Sequence, residues 1–495
     1  MQYAWKVLGV TTLGILMVFA STTSANVALP SMARDLHAGP GVADWYLLSY
    51  MLANTVLILV FGRISDLIGR RRIYLTGVAV MTIASIACAF AGDSTWLIAM
   101  RIMQGAAAAA VITNINAQLA DAFPAHKLSI GLGLIVMAGS VAGTLGPAIG
   151  GVLVTAFGWQ SVFLLNVSFG VAGLIWGARI LRPGAAHRSA RERFDPAGAV
   201  LSIIFLLALL VAINKIVLWG PGSPRVLASF AISAAALAAF VVVERRHSSP
   251  LIDLAMVRER SRGFAYAAVF FMSSAQSTIP IVIVLYQQTV VGASAATAGL
   301  SVIPFAIAVA CTAPLAGRAA ARYSPRTLAA AGSVVMAAGL SLTLIYFQTP
   351  HKALLVAALL IAGLGNGFFN APNIAAIMAS VPANRHGIAN GVRSVLFNSA
   401  QSLGTAIMLL IIGSGLTSAG LSGLSGKAAD PALVIPSFTI AGTVMVACTL
   451  LSAACSWSSR GAASPPRPGN PPHREDLVRS AAGSATPSAS ESNGS

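Results

Sequence analysis

Long stretches without a single Asp, Glu, Lys or Arg alternate along the chain with short segments into which the charges are crowded. The uncharged runs are Val7–Ala33, Ile73–Gly92, Leu128–Ala178, Gly263–Gly317, Ala353–Asn384, Ser394–Gly426 and Pro431–Ser459. A helix crossing the hydrocarbon core needs about 20 apolar residues. Leu128–Ala178 and Gly263–Gly317 must therefore each hold two helices and a turn. The apolar/polar alternation over about ten residues that a membrane barrel requires does not occur. The pattern predicts spans at 7–30, 45–62, 73–92, 95–114, 129–153, 161–181, 196–214, 226–243, 263–285, 297–316, 327–346, 353–372, 390–414 and 432–456. The expected fold class is all-α and polytopic, with fourteen transmembrane helices. The first apolar segment runs beyond the core of a signal peptide and is followed by many more spans, so it reads as an uncleaved first helix.

Composition agrees: 56% of the 495 residues are hydrophobic and 9% are charged, against roughly 25% charged in a soluble domain. The net charge of +17 raises the question of nucleic acid. The cations are instead sorted by side. With the N-terminus in the cytoplasm, 25 of the 31 Lys/Arg fall in cytoplasmic segments. Only Arg34, Lys215, Arg225, Lys352 and Lys427 lie outside, and Arg101 lies within a span. That asymmetry is the positive-inside distribution of an inner or plasma membrane protein with both termini cytoplasmic, and it excludes a nucleic-acid face. Cys88, Cys311, Cys448 and Cys455 sit in apolar helical runs without paired spacing and read as small core residues.

Residues 1–181 should form one six-helix bundle and 263–459 a second. Residues 182–262 would hold two basic connectors and two extra helices, and 460–495, rich in Ser, Pro, Ala and Gly, a disordered cytoplasmic tail. The bundles look related: Gly62-Arg63 recurs as Gly317-Arg318, and Gly77 and Met81 recur as Gly332 and Met336. Internal repeats of this kind are typical of secondary transporters with a site between two rocking halves.

The clearest local signature is Gly62-Arg-Ile-Ser-Asp66-Leu-Ile-Gly69-Arg70-Arg71-Arg72. Its glycines permit a tight turn. Asp66 can pair with an arginine or cap the next helix, whose N-terminal dipole favours an anion. The plainer alternative is that the arginines merely anchor the turn at the membrane surface. Arg101 is costly at span depth. It either snorkels to the interface or lines the pathway with Gln104 at i+3 and Asn114 and Asn116 beyond. The stretch Gly139-Ser-Val-Ala-Gly143-Thr-Leu-Gly146-Pro147-Ala-Ile-Gly150-Gly151 brings small residues to close-packing spacing around a proline that can bend the helix.

With these stretches in view, the chain resembles the major facilitator superfamily. Gly62–Arg72 is similar to its conserved loop, Leu97–Gly105 to its fourth-helix signature and Gly139–Gly151 to its antiporter-type fifth helix. Asn26-Val-Ala-Leu-Pro30 is similar to the first helix end of the fourteen-spanner drug–proton antiporters, into which the central helix pair also fits. The resemblance implies two pseudo-symmetric six-helix bundles with two added central helices, and it implies proton-driven export. Ser21 stands where that branch carries an aspartate, and Trp159-Gln160 where it carries tryptophan and arginine. Both departures keep specificity open.

The remaining polar groups at span depth include Asn26, Tyr50, Asn54, Gln276, Asn366, Asn370, Asn373, Asn398 and Gln401. Each alone is more often a helix–helix hydrogen bond than a ligand contact. Together with Ser21, Arg101 and Gln104 they suggest an amide-lined cavity suited to an uncharged or amphiphilic small organic molecule. All acidic residues are expected in loops, tails or span ends, so proton coupling would run through a rim acid such as Asp44, around Arg101, or not at all. The leading expectation is a secondary active exporter of a drug-like molecule or secondary metabolite. It would be powered by the proton gradient, with no cofactor or metal, working in the lipid bilayer, as a monomer in the simplest case. A facilitator or symporter for a neutral metabolite is the transport-class rival. An enzyme is disfavoured, since no metal cluster, phosphate loop or nucleophile–base pair is visible. A receptor is disfavoured by the lack of a sizeable soluble domain.

Overall fold

The computed structural model describes residues 2–182, 194–246, 259–320, 322–382, 385–418 and 431–459. Most of both connectors and the whole 460–495 tail lie outside the described residues, as does Lys427. The helices are α1 (Gln2–Asp35), α2 (Pro40–Ile68), α3 (Arg70–Ala89), α4 (Ser94–Ala122), α5 (Ala125–Phe157), α6 (Gln160–Ile180), α7 (Pro196–Trp219) and α8 (Pro224–Arg246). They continue with α9 (Arg260–Tyr286), α10 (Ala295–Leu300), α11 (Ile303–Ala319), α12 (Pro325–Gln348), α13 (Lys352–Ala379), α14 (His386–Ser418) and α15 (Ile435–Ser458). A π-turn, Gln287–Val291, prolongs α9, and α10 with α11 makes one span. Among the described residues, fourteen helical segments are long and apolar enough to cross a bilayer. The protein is all-α and polytopic.

The helices overrun the predicted spans because a helix satisfies its own backbone and has no reason to stop at the hydrocarbon boundary. α5 and α14 reach 33 residues each. Stops occur where the chain supplies one: Gly69, at φ 112, breaks α2 from α3, and Asp93 caps α4 by accepting from the Trp96 N–H at 2.8 Å. This overrun corrects the charge assignments of Lys215 and Arg63. Lys215 lies inside α7 and is buried, not in an outer loop. Arg63 in α2 is buried as well, although it was counted as a surface cation. Arg393 in α14 is also buried; it lay inside the predicted 390–414 span although it was counted with the cytoplasmic cations.

Helices α1–α6 pack on one another, and α9 and α11–α15 do likewise. α7 packs on α8 and also on α2 and α14. The repeated glycines hold equivalent places. A Cβ on Gly77 would lie 3.1 Å from the Ala107 carbonyl oxygen of α4, and one on Gly332 would lie 2.7 Å from the Gly365 carbonyl oxygen of α13. Each glycine thus allows the third helix of its set to press on the fourth. Met81 and Met336 are both fully buried. The other matched pair meets the seam between the sets. A Cβ on Gly62 in α2 would lie 2.9 Å from the Gly387 carbonyl oxygen in α14, and one on Gly317 in α11 would crowd the Ser129 carbonyl in α5.

Candidate functional site

The seam is bonded near the end of the bundle that carries Arg70–Arg72, here termed the basic end. Asp66, at the last turn of α2, accepts from the backbone N–H groups of Gly387 and Ile388 at 3.2 Å each. Asp66 therefore caps α14 across the seam, whereas the sequence had suggested the adjacent α3. The reason is geometric: Gly62 and Gly387 let α2 and α14 touch backbone to backbone, which aims the carboxylate at the N–H groups of the first turn of α14, which have no partner within the helix. Arg70 donates to Asp66 at 3.2 Å and also pairs with Asp121 of α4. Arg71 donates to the Ala178 carbonyl at 2.9 Å and so ties α3 to α6. Gly69 supplies the positive φ of the turn.

Deeper in the seam, Asn390 of α14 donates to the Ile112 and Thr113 carbonyls at 3.2 and 3.0 Å, and Asn116 donates to the Asn390 side-chain oxygen at 2.8 Å. Asn398 donates to the Thr55 hydroxyl at 3.1 Å. Of these three asparagines, the sequence had placed Asn398 among the pathway residues and Asn116 on the path beyond Arg101. Asn390, fully buried, was missed; the Gly387 and Gly391 that flank it were its only signal, since they bring α14 against α2.

Arg101 is 1% exposed and points into the bundle formed by α1–α4 and α6. Its Nε donates to the Tyr46 carbonyl at 2.7 Å, and its Nη1 to the Gln104 side-chain oxygen at 2.6 Å and the Ser21 carbonyl at 3.3 Å. The guanidinium lies 4.4 Å over the Tyr50 ring, and Gln104 donates onward to Ser85 at 2.7 Å. Three acceptor oxygens and an aromatic face satisfy this charge, with no carboxylate among them. The i+3 pairing with Gln104 is as the sequence suggested. Asn114 bonds Ser65 in α2 rather than joining Arg101. Asn54 is buried with an unbonded amide oxygen, and Asn26 is exposed on α1 beyond Thr22, itself exposed.

In the second set, Gln276 accepts from Asn366 at 2.8 Å, and Asn370 donates to the Asn366 side-chain oxygen at 2.9 Å. Gln276 and Gln401 are both only partly buried. The antiporter-type stretch packs on α1. Gly139 and Gly143 face Phe19, Gly146 meets Thr23, Gly150 meets Ser24 and Gly151 meets Val27. Ser24 donates to the Gly146 carbonyl at 3.2 Å, beside Pro147. At the opposite end from the loop arginines, Asp44 is paired at 3.1 Å with Lys215. Trp159, in the altered pair after α5, donates to Asp35 at 2.9 Å.

Fourteen packed spans among the described residues, with polar side chains at an internal seam, suit a membrane transporter. Residues 11–257 and 264–487 match the Major Facilitator Superfamily. The chain is 33% identical over 405 residues to the multidrug resistance protein Stp of Mycobacterium tuberculosis, spanning 82% of this chain and 74% of that one. It is 31% identical over 443 residues to the cephamycin export protein CmcT of Amycolatopsis lactamdurans, spanning 88% and 90%. The solved structure of the human organic anion transporter MFSD10 shares the fold at a TM-score of 0.61 and 16% identity, covering 91% of this chain and 99% of that one. The chain belongs to the major facilitator superfamily and is a multi-pass transporter of small molecules in the bilayer.

Proposed function

We propose that this transporter exports a drug-like or secondary-metabolite molecule by alternating access, driven by the proton gradient, with the basic end and both termini cytoplasmic. The observation that carries alternating access is the bonded seam of α2 and α4 against α14 near the basic end, together with the exposure of Thr22 and Asn26 farther along α1. That combination is what an outward-open member of a rocking pair presents. Relatives at about 30% identity, named for multidrug resistance and for cephamycin export, support the outward direction. Sidedness rests on the sorting of Lys and Arg. Overexpression and deletion against a drug-susceptibility panel, followed by direct flux of any hit, test the export reading. A panel with no change in either strain rejects it. Coupling is tested by substrate-driven proton release from proteoliposomes across a pH series. Flux without proton movement rejects antiport and leaves export standing.

A further inference from the structure

Arg101 and Arg393, two of the three buried arginines in the described spans (Arg63 of α2 is the third), are treated in opposite ways. Arg101 has three oxygen acceptors; Arg393 has none among the described residues. Arg393 is 8% exposed, seven residues into α14, and its Nε is buried and unbonded. The Phe397 ring lies 5.7 Å from its guanidinium carbon, and Tyr266 of α9 also faces it, with its own hydroxyl donated to the Ala389 carbonyl. Two carboxylates near that end are committed elsewhere, Asp66 to the α14 backbone and Arg70, and Asp121 to Arg70. A buried cation without a partner is strongly unfavourable unless something completes it.

Its position says where a partner would arrive. At about 100° per residue, Arg393 lies roughly 60° round α14 from Asn390. Asn390 faces α4, while Ala389 and Ala400, on the other side of Arg393, face α9 through bonds from Tyr266 at 3.3 Å and Ser274 at 3.1 Å. Arg393, Phe397 and Gln401 follow one another at i, i+4 and i+8 along this sector, and both Phe397 and Gln401 are only partly buried. A second unsatisfied polar atom comes from α13, where the Asn373 amide oxygen is buried and unbonded. The Asn373 amide nitrogen donates to the Ala265 carbonyl, beside Tyr266, at 3.3 Å.

From this stripe we infer that Arg393 anchors the acidic group of an aromatic organic anion, whose ring lies on Phe397 and whose polar tail reaches Gln401. Arg393 lies one turn from the Asn116–Asn390 bond, so opening the basic end uncovers it for loading from that side. The inference deepens the export reading by giving its substrate a chemical class.

The test uses the full chain in lipid nanodiscs and the anisotropy of 5-carboxyfluorescein. Arg393→Gln should weaken binding at least about tenfold, the scale of a lost charge-assisted contact. Arg393→Lys should keep most of it, and Arg318→Gln, at the end of α11, should leave it unchanged. In the unaltered protein, 2-naphthoate should displace the dye at least about tenfold better than neutral 2-naphthamide. This competition decides the matter even where Arg393→Gln does not fold. No dye binding, equal binding by a folded Arg393→Gln protein, or equal competition by acid and amide overturns the inference. Flux of an uncharged dye is measured alongside. Intact flux without anion selectivity sinks this inference alone, and anion selectivity with no flux of any probe sinks the export reading alone.

Discussion

Replacing Asp66 by asparagine perturbs the contact on which closure of the basic end most depends. Asp66 is buried, and its carboxylate receives two N–H groups from the first turn of α14. An anion at a helix N-terminus contributes about 0.3–1 kcal/mol when exposed and up to about 2 kcal/mol when partly buried. The upper figure applies here. Asparagine keeps one acceptor oxygen, so one N–H stays bonded and the other faces an amide NH2, a buried mismatch costing about 1 kcal/mol or more. Arg70 keeps Asp121 and adds little to the loss. The closed basic end should therefore lose about 2–3 kcal/mol, which shifts the ratio of closed to open forms roughly 30- to 150-fold. Replacing Cys88, Cys311, Cys448 and Cys455 and placing nitroxide labels at Arg72 and Arg322, one on each side of the seam, makes the shift readable by pulsed dipolar spectroscopy. Asp66→Asn should move population to longer distances. An unchanged distance distribution would refute the clasp and leave the loop as an anchor.

Further outcomes follow from the same contacts. Arg101→Lys keeps the charge but cannot fork to the Tyr46, Ser21 and Gln104 oxygens, so thermal unfolding in detergent should show a loss of about 2–4 kcal/mol; an unaltered melting temperature would contradict the buried role. Gly133→Leu should force the basic end open and stop flux without unfolding the protein, because a Cβ there meets the Ala313 carbonyl and lies 3.2 Å from the Pro314 Cα; full flux would show that α5 and α11 can yield. Lys215→Met should cost no more than about 1 kcal/mol, since its partner Asp44 is half exposed and screened. Thermal shifts at low and high salt check this, and a large salt-independent loss would mean that α7 depends on the pair.

Burial in hydrocarbon is what made the fold legible. Uncharged runs such as Leu128–Ala178 can only be helices, and one isolated charge, Arg101, stood out against them. Helix ends were harder, because α2 and α7 continue past the apolar run into charged positions, so that Arg63 and Lys215 look like loop cations. The Asp66 loop announced a functional aspartate, yet its partner lies 321 positions away and nothing local in the sequence points to it. Asn390 was hidden differently. Its amide looks like any other in a Gly/Ala-rich segment, and it matters only because Gly387 and Gly391 bring α14 against α2. The altered positions Ser21 and Trp159-Gln160 remain informative in a narrower way: Ser21 offers its carbonyl to Arg101, and Trp159 takes Asp35.

Most of the seam is held by neutral groups, and that determines how it can be driven. The bonds of Asn390, Asn116 and Asn398 contribute about 0.5–1.5 kcal/mol each, or nearer 0.6 kcal/mol by membrane-protein measurements. Together with the Asp66 cap this amounts to about 4–7 kcal/mol, comparable to the ~5.5 kcal/mol that carries a two-state system from 1:99 to 99:1. A substrate shifts this balance only by its differential affinity for the two forms. At about 100 times its Kd for the open form, and without affinity for the closed one, it supplies about 2.7 kcal/mol and offsets only part of the clasp. Asn390→Ala should then favour opening by about 1–3 kcal/mol at every pH, whereas a pH-dependent share can enter only through Asp66 and its neighbours. Asn390 sits three residues past Gly387 on the same helix, so the double variant with Asp66→Asn should shift the labelled pair by less than the sum of the single shifts. Full additivity would mean that the amide bonds and the helix cap open independently, and that the seam is two latches rather than one.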